Sequence, residues 1–464
     1  MTQLDTLDRP TAALPRHGTG HVVVIGGGAS GVLIAAHLLS QGPELRVTIL
    51  EAANILGCGL AYSTTDPDHL LNTRVGNMSA FPGDPGHFSR WLSKHPEGQE
   101  CETDAFVSRG TYGAYLTDLL KPWQDKGADG RLACVRRSCV KLDEVEGGVV
   151  ATLDDGEQVR ADMAVLATGH VLARPDESGL LSGAWEGATG VDPDGRIVII
   201  GSGLSMVDQV LSLIKSGHRG PIVTLSRRGL LPRPHADANA MKIDPKDIPF
   251  GAKMSEIFRW ARDMARKAEA EGGTWRDAVD GLRPHVRAFW RTMPLAERRR
   301  FLRHAVVWWD VHRHRIPPQS DARIAAAVGS GQLIHQRGTF LQAERGPDGD
   351  VIAVFRPHGQ PGEVRLPAAR IIDCRGIRND PEQNASPLFA DLLASGRARV
   401  DPLRIGLEVT DDCRIIDTHG NASQRIIAMG PVSRAAFWEI TAIPDIREQA
   451  ARLGGDLAEE IGAV

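Results

Sequence analysis

The chain has 464 residues, 42% of them hydrophobic, and a formal net charge of −4 at pH 7. That is enough apolar material for two full cores, and the slightly acidic balance argues against a general nucleic-acid binder, which is usually basic. No apolar run reaches the roughly 18 residues of a membrane span, and the polar opening MTQLDTLDRPTAALPRHGTG lacks the apolar core of a secretory signal.

Residues 1–19 read as a loose arm. The first strong pattern follows at once: an apolar strand, Val22 to Ile25, then Gly26-Gly27-Gly28-Ala29-Ser30-Gly31, then a helix over Val32–Ser40 closed by Gly42. The next strand, RVTILE, ends at Glu51, about twenty residues past Gly31. Strand, glycines, helix and acid together form the dinucleotide-binding fingerprint. Gly26 permits the tight turn, Gly28 lets backbone approach a pyrophosphate, with Ala29 and Ser30 beside it, and Gly31 lets helix and strand pack closely. Glu51 is placed to accept hydrogen bonds from a ribose.

Six cysteines are scattered along the chain: Cys58, Cys101, Cys134, Cys139, Cys374 and Cys413. The pattern suits a reducing, cytoplasmic setting rather than a disulfide framework. Cys134 and Cys139 have a spacing known from flavin disulfide reductases. They lie, however, in RLACVRRSCVKLDEVEGGVVATLDDGEQV, which is predicted to be consecutive strands of a meander. A structural role is therefore expected for both. An apolar strand then ends in Ala-Thr168-Gly169, a point where two-dinucleotide proteins leave their first domain.

A second nucleotide unit begins at RIVII. Its turn is Gly201-Ser202-Gly203-Leu204-Ser205-Met206, with Met206 in the third glycine position and Gly217 capping the helix. Its next strand ends in Ser226-Arg227-Arg228, with no acid. An acid there would repel a 2′-phosphate, whereas Arg227 and Arg228 can grip one, so this unit is predicted to take NADPH rather than NADH. Residues 252–320 form a helical insertion, with Ile257, Trp260, Ala261, Met264 and Ala268 on one helical face. From Lys253 to Arg315 there are 15 Lys and Arg against 8 Asp and Glu. That basic stretch is either a solvated cover or an attractor of an anionic ligand. In WWDVHRHRIPP, His312 and His314 alternate with arginines that would repel a metal, so no metal site is expected. The chain returns through ARIIDCRGI at Ala369.

The expected fold is α/β with two Rossmann-like dinucleotide-binding domains. The NADP domain is inserted in the FAD domain and carries the helical insertion. The boundaries expected are 1–19 for the arm, 20–180 for the first part of the FAD domain, 181–368 for the NADPH domain and 369–464 for the second part of the FAD domain.

Three segments carry a family resemblance: GCGLAYSTTDPDHLLNTRVGNMS after the first unit, LSRRGLLPRPH after the second, and AMGPVSRAAFWEITAIPDIREQA near the end. Together they resemble a bacterial family of FAD/NAD(P)-binding proteins that includes an amino-acid N-monooxygenase. That family is related in layout to the ornithine/lysine N-hydroxylases and other class B flavin monooxygenases. The resemblance implies FAD and NADPH as cofactors. It implies that His69, Leu70, Leu71, Asn72, Met78 and Ser79 line the flavin ring. Gly430 should end a strand, and a helix should start near Pro444, with Thr441, Ala442 and Ile443 facing the flavin. Tyr62, Tyr112 and Tyr115 are either site contacts or core. The Baeyer–Villiger signature F-x-G-x-x-x-H-x-x-x-W is absent, which argues against ketone oxygenation.

The expected function is a single-component, NADPH-using flavin monooxygenase acting with O2 on a small, amine-type nucleophile through a peroxyflavin. No protein residue is singled out as catalytic. Two alternatives stay open: a reductase passing electrons to a quinone or redox partner, and a non-catalytic redox sensor. No nucleic-acid or membrane partner is expected, and the oligomeric state is left open.

Overall fold

The computed structural model describes residues 20–98, 101–124, 130–170, 176–186, 190–347, 349–376 and 380–462. The arm at residues 1–19 lies outside them. Seven strands come first: β1 (His21–Ile25), β2 (Arg46–Leu50), β3 (Leu132–Val135), β4 (Cys139–Val145), β5 (Gly148–Leu153), β6 (Gln158–Ala161) and β7 (Met163–Leu166). Seven more follow: β8 (Ser182–Gly183), β9 (Ile197–Ile200), β10 (Ile222–Ser226), β11 (Leu333–Arg345), β12 (Val351–Pro357), β13 (Val364–Ala368) and β14 (Arg370–Asp373). β15 (Arg414–Ile416) and β16 (Ala422–Ala428) complete the set.

Two compact units result. The first comprises residues 1–67, 73–172 and 378–464, and the second 68–72 and 173–377. In the first unit a six-stranded sheet runs β15-β16-β7-β1-β2-β3, parallel except for the β15–β16 hairpin. Every residue of β1 and β7 is buried. Unbroken apolar runs of this kind are what a parallel sheet covered on both faces demands. Helix Ala29–Gln41 packs against helix Ile443–Glu460. Gly454 permits the approach, since a Cβ there would lie 3.0 Å from the His37 Cβ. The meander β4-β5-β6 forms its own antiparallel sheet.

The second unit holds a seven-stranded sheet in the order β13-β12-β11-β10-β9-β14-β8. Its parallel part runs from β11 to β8, and β11, β12 and β13 continue it as an antiparallel ribbon. Met206 is fully buried and packs with Ile197, Ile199, Val210, Ile316 and Leu333. The residue standing where a third glycine was expected is thus a core residue.

Four sequence expectations need correction. Cys134 and Cys139 do not share a meander: Cys134 lies on β3 at the edge of the parallel sheet, and Cys139 opens the separate antiparallel sheet. The segment from Ala369 does not return to the first unit at once. β14 pairs with β9 and β8, so the second unit extends past the expected boundary at 368. Helix Pro318–Gly329 packs on helix Leu204–Lys215 and on β11, so the end of the expected insertion belongs to the nucleotide-type layer. Lastly, Asp68–Asn72 group with the second unit although the chain on either side belongs to the first.

Candidate functional site

The first glycine turn connects β1 to helix Ala29–Gln41. Gly26 has φ +102°, and a Cβ there would lie 2.6 Å from the Ala167 carbonyl oxygen at the end of β7. A Cβ on Gly31 would lie 1.9 Å from the Gly26 carbonyl oxygen. Both glycines are required by packing alone. Gly28 differs: the nearest atom to an added Cβ is the Gly59 Cα, at 3.5 Å. Its open side faces the start of a helix with no side-chain cap and no acid in its first turn. Uncapped helical amides with a glycine-wide gap before them suit a phosphate.

The Glu51 carboxylate sits at the lip of this turn, accepting hydrogen bonds from the Gly27 amide at 2.7 Å and the Ala53 amide at 2.9 Å. Thr168 follows β7, next to Gly26. Its hydroxyl is buried and has no hydrogen-bond partner among the described residues. Gly169 has φ +73° and open space where a Cβ would stand. These features fit the pyrophosphate and adenosine end of a flavin dinucleotide.

The returning chain meets the same turn. β16 ends at Ala428, and Gly430 has φ +65°; a Cβ there would lie 2.4 Å from the Ser30 Oγ. The Gly430 amide donates to the Gln449 Oε1 at 2.7 Å, and the Gln449 amide group donates to the Ser433 Oγ at 3.2 Å. Helix Ile443–Glu460 begins after Ala442, with Pro444 in its first turn. From that helix, Arg447 donates to the carbonyl oxygens of Asn77 and Ser79, both at 3.1 Å. Met78 and Ser79 are therefore tied to the helix whose start carries Thr441, Ala442 and Ile443. Trp438, just before this start, is buried at φ +47°, and the Arg434 guanidinium lies 4.3 Å over its ring. A bulky residue held in the left-handed region is strained, and strain of this kind concentrates at functional sites. Burial, with the nearby Arg434 charge, pushes the His170 pKa down to about 4, so that imidazole is neutral at physiological pH.

His69 and Asn72 group with the second unit. The His69 ring is 2.9 Å from the Ser212 hydroxyl, and the Asn72 carbonyl is 3.0 Å from the His235 ring, both within the second unit. Tyr112 and Tyr115 are fully buried in an aromatic cluster with Phe88 and Trp91. Tyr115 also bonds the His87 ring at 2.7 Å. Those two tyrosines are core.

The second glycine turn repeats the design. Gly201 has φ +109°, and a Cβ there would lie 2.4 Å from the Cys374 carbonyl oxygen. Gly203 has nothing within 4 Å of an added Cβ, and helix Leu204–Lys215 starts there with no side-chain cap and no acid in its first turn. Leu204 and Ser205 supply its first amides. At the end of β10 the Ser226 hydroxyl accepts from the Gly229 amide at 3.2 Å, and Arg227 and Arg228 are exposed. Sequence reasoning missed Arg337. It pairs in register with Ser226 across β10 and β11, and its stem passes 3.3–3.4 Å from where a Gly229 Cβ would stand. Its signal was weak, because pairing of a distant strand is not visible locally. None of these three arginines has a carboxylate partner among the described residues.

Residues 23–171 match the family model described as FAD-NAD(P)-binding. The chain resembles an uncharacterised protein of Escherichia coli K12, YdhS, at 26% identity over 246 residues. The match spans 46% of each, so the chain covers about half the length of that curated relative. Among solved structures, the FAD-bound cadaverine monooxygenase DfoA of Erwinia amylovora superposes with a TM-score of 0.66 at 13% identity, covering 96% of this chain and 95% of that one. The ornithine hydroxylase PvdA of Pseudomonas aeruginosa gives 0.62 at 16%, covering 95% and 99%. At such identities the likeness establishes the fold: two Rossmann-like dinucleotide-binding domains, the second inserted in the first. No helix among the described residues is long and apolar enough to cross a membrane.

Proposed function

We propose that the protein is an FAD-dependent, NADPH-using monooxygenase of a small amine. The observation that carries this is the pair of open glycine turns, each on its own parallel sheet. One has an acid at the ribose position and the other has arginines. A single-cofactor enzyme has no use for two.

In this reading the amides after Gly28 receive the FAD pyrophosphate and Glu51 receives its ribose. Met78, Ser79 and the start of helix Ile443–Glu460 border the ring. That helix start favours negative charge beside it by about 0.3–2 kcal/mol. Gly203, Leu204 and Ser205 receive the NADPH pyrophosphate, and Arg227 and Arg228 its 2′-phosphate. Bound there, FAD would supply hydride acceptance from NADPH and activation of dioxygen, one oxygen atom going to the nucleophile and the other leaving as water. The protein binds, orients and excludes water. The amine class rests on fold neighbours named as an ornithine hydroxylase and a cadaverine monooxygenase.

The test is turnover of a panel of diamines and basic amino acids with NADPH and O2. One substrate should give an N-oxygenated product in near-equal amount to the NADPH consumed. NADPH oxidation that proceeds only with dyes or quinones would select a reductase instead.

A further inference from the structure

The insertion carries a cationic cluster that the dinucleotide assignments leave unused. Three segments build it within the second unit. Arg233 lies in the loop after β10, and its backbone is held by bonds from its amide to the Val311 carbonyl at 3.2 Å and from the Ile316 amide to its own carbonyl at 2.9 Å. Arg276 lies in the first turn of helix Trp275–Leu282 and donates through Nε and Nη2 to the Pro234 carbonyl, at 3.2 and 2.9 Å. Arg315 follows helix Val306–Arg313. The Trp275 ring is a common floor, with the Arg276 guanidinium 4.5 Å and the Arg315 guanidinium 6.0 Å from its centroid. The His312 ring meets that floor edge-on at 4.7 Å.

The charges do not balance. Asp280 pairs with Arg315. Asp277, the other nearby acid, accepts from the backbone amides of Asn239 at 2.5 Å and Thr274 at 2.7 Å and so serves the loop and the helix cap. Three arginines thus stand against two carboxylates, Asp280 paired with Arg315 and Asp277 engaged by backbone amides, with Arg233 exposed and adding its charge from the side. Arg315 is only 4% exposed, and its Nε has no hydrogen-bond partner among the described residues. Burial, then the Arg315 and Arg233 charges, holds the Arg276 pKa below its ordinary value, although Asp280 and Asp277 oppose the shift. Like charges gathered over an aromatic floor, one of them desolvated, are costly unless an anion joins them. Guanidinium forks suit the planar or tetrahedral oxygens of carboxylates and phosphates.

We infer that Arg233, Arg276 and Arg315, over Trp275, form a binding site for an anionic group of a ligand. The group is a phosphate or a carboxylate. Its source is either a pyridine dinucleotide or the substrate.

Calorimetry on the full-length flavin-loaded protein tests this, with inorganic phosphate and succinate as probes at fixed ionic strength. Wild type should bind phosphate, and Arg233→Gln and Arg276→Gln should weaken that binding about tenfold. Arg266→Ala, an exposed cation of the same insertion, should leave it in place, which separates this site from the general positive charge of the stretch. Arg315→Gln removes the buried member of an ion pair with half-buried Asp280 and is prone to misfold, so Arg315→Lys accompanies it. If the same variants weaken NADP+ and NAD+ about tenfold, the anion belongs to the dinucleotide. If dinucleotide binding is unchanged and succinate displaces phosphate, it belongs to a carboxylate substrate. Equal phosphate and succinate binding by wild type, Arg233→Gln and Arg276→Gln would overturn the proposal. Because the readout is anion binding rather than turnover, that failure would leave the flavin assignment intact.

Discussion

Gly28 and Gly31 belong to one motif but answer to different forces. Gly31 is fixed by packing, since an added Cβ would sit inside contact distance of the Gly26 carbonyl oxygen. Gly31→Ala should lower stability by about 1–3 kcal/mol, the usual cost of overpacking, as read by denaturant unfolding. Gly28 has an extended backbone and room for a Cβ. Gly28→Val should therefore keep most of the fold's stability yet purify without flavin; full flavin occupancy would refute the assignment. At the second turn, charge-assisted bonds of about 1.5–3 kcal/mol each predict an NADPH preference of roughly tenfold to a hundredfold. Arg227→Ala or Arg228→Ala should raise KM for NADPH and barely move it for NADH. Arg337→Ala should act in the same direction, because its stem runs beneath the same turn. His21 tests pH linkage. Burial, then the Arg46 charge, lowers its pKa from 6.5 to about 4, with its ring against the Thr48 hydroxyl. The unfolded chain then binds the extra proton first, so this contribution is complete above pH 6.5 and fades as pH falls towards 4. His21→Gln should flatten that part of the stability profile, by up to about 3 kcal/mol at its acid end.

At the scale of elements, what was legible was local. The two strand–turn–helix units, the acid after the first, the arginines after the second and the helix near Pro444 all follow from short-range pattern. Partnership was not legible. β3 and β4 are both short strands with cysteines, and nothing in RLACVRRSCV says that one joins the parallel sheet and the other a meander. β14 has a buried apolar centre, Ile371 and Ile372, that would suit either sheet, and only its pairing with β9 decides. Of the cluster, Arg276 and Arg315 were visible only within an excess of charge and Arg233 lay outside it, because the members come from three segments. The strand placement has a consequence for the thiols. Burial raises the Cys134 pKa and pushes Cys139 up to about 11. Both stay protonated at neutral pH, when they are poor nucleophiles. Cys134→Ser combined with Cys139→Ser should leave NADPH oxidation nearly unchanged; loss of flavin re-oxidation would revive a dithiol role.

For the whole molecule, the separation of the two open turns into two compact units matters most. Each unit supplies a parallel sheet and an uncapped helix start behind an open glycine turn, and on the proposed reading each receives one dinucleotide. The purified chain should be yellow, with about one FAD per chain. The most direct measurement is rapid mixing of the NADPH-reduced protein with oxygenated buffer, followed by absorbance. A monooxygenase holds the activated oxygen, so a distinct transient should form before oxidised flavin returns, and an amine substrate should hasten its decay. Slow, single-step re-oxidation with no transient, unaffected by any amine and accelerated by quinones, would contradict the proposal and identify a reductase.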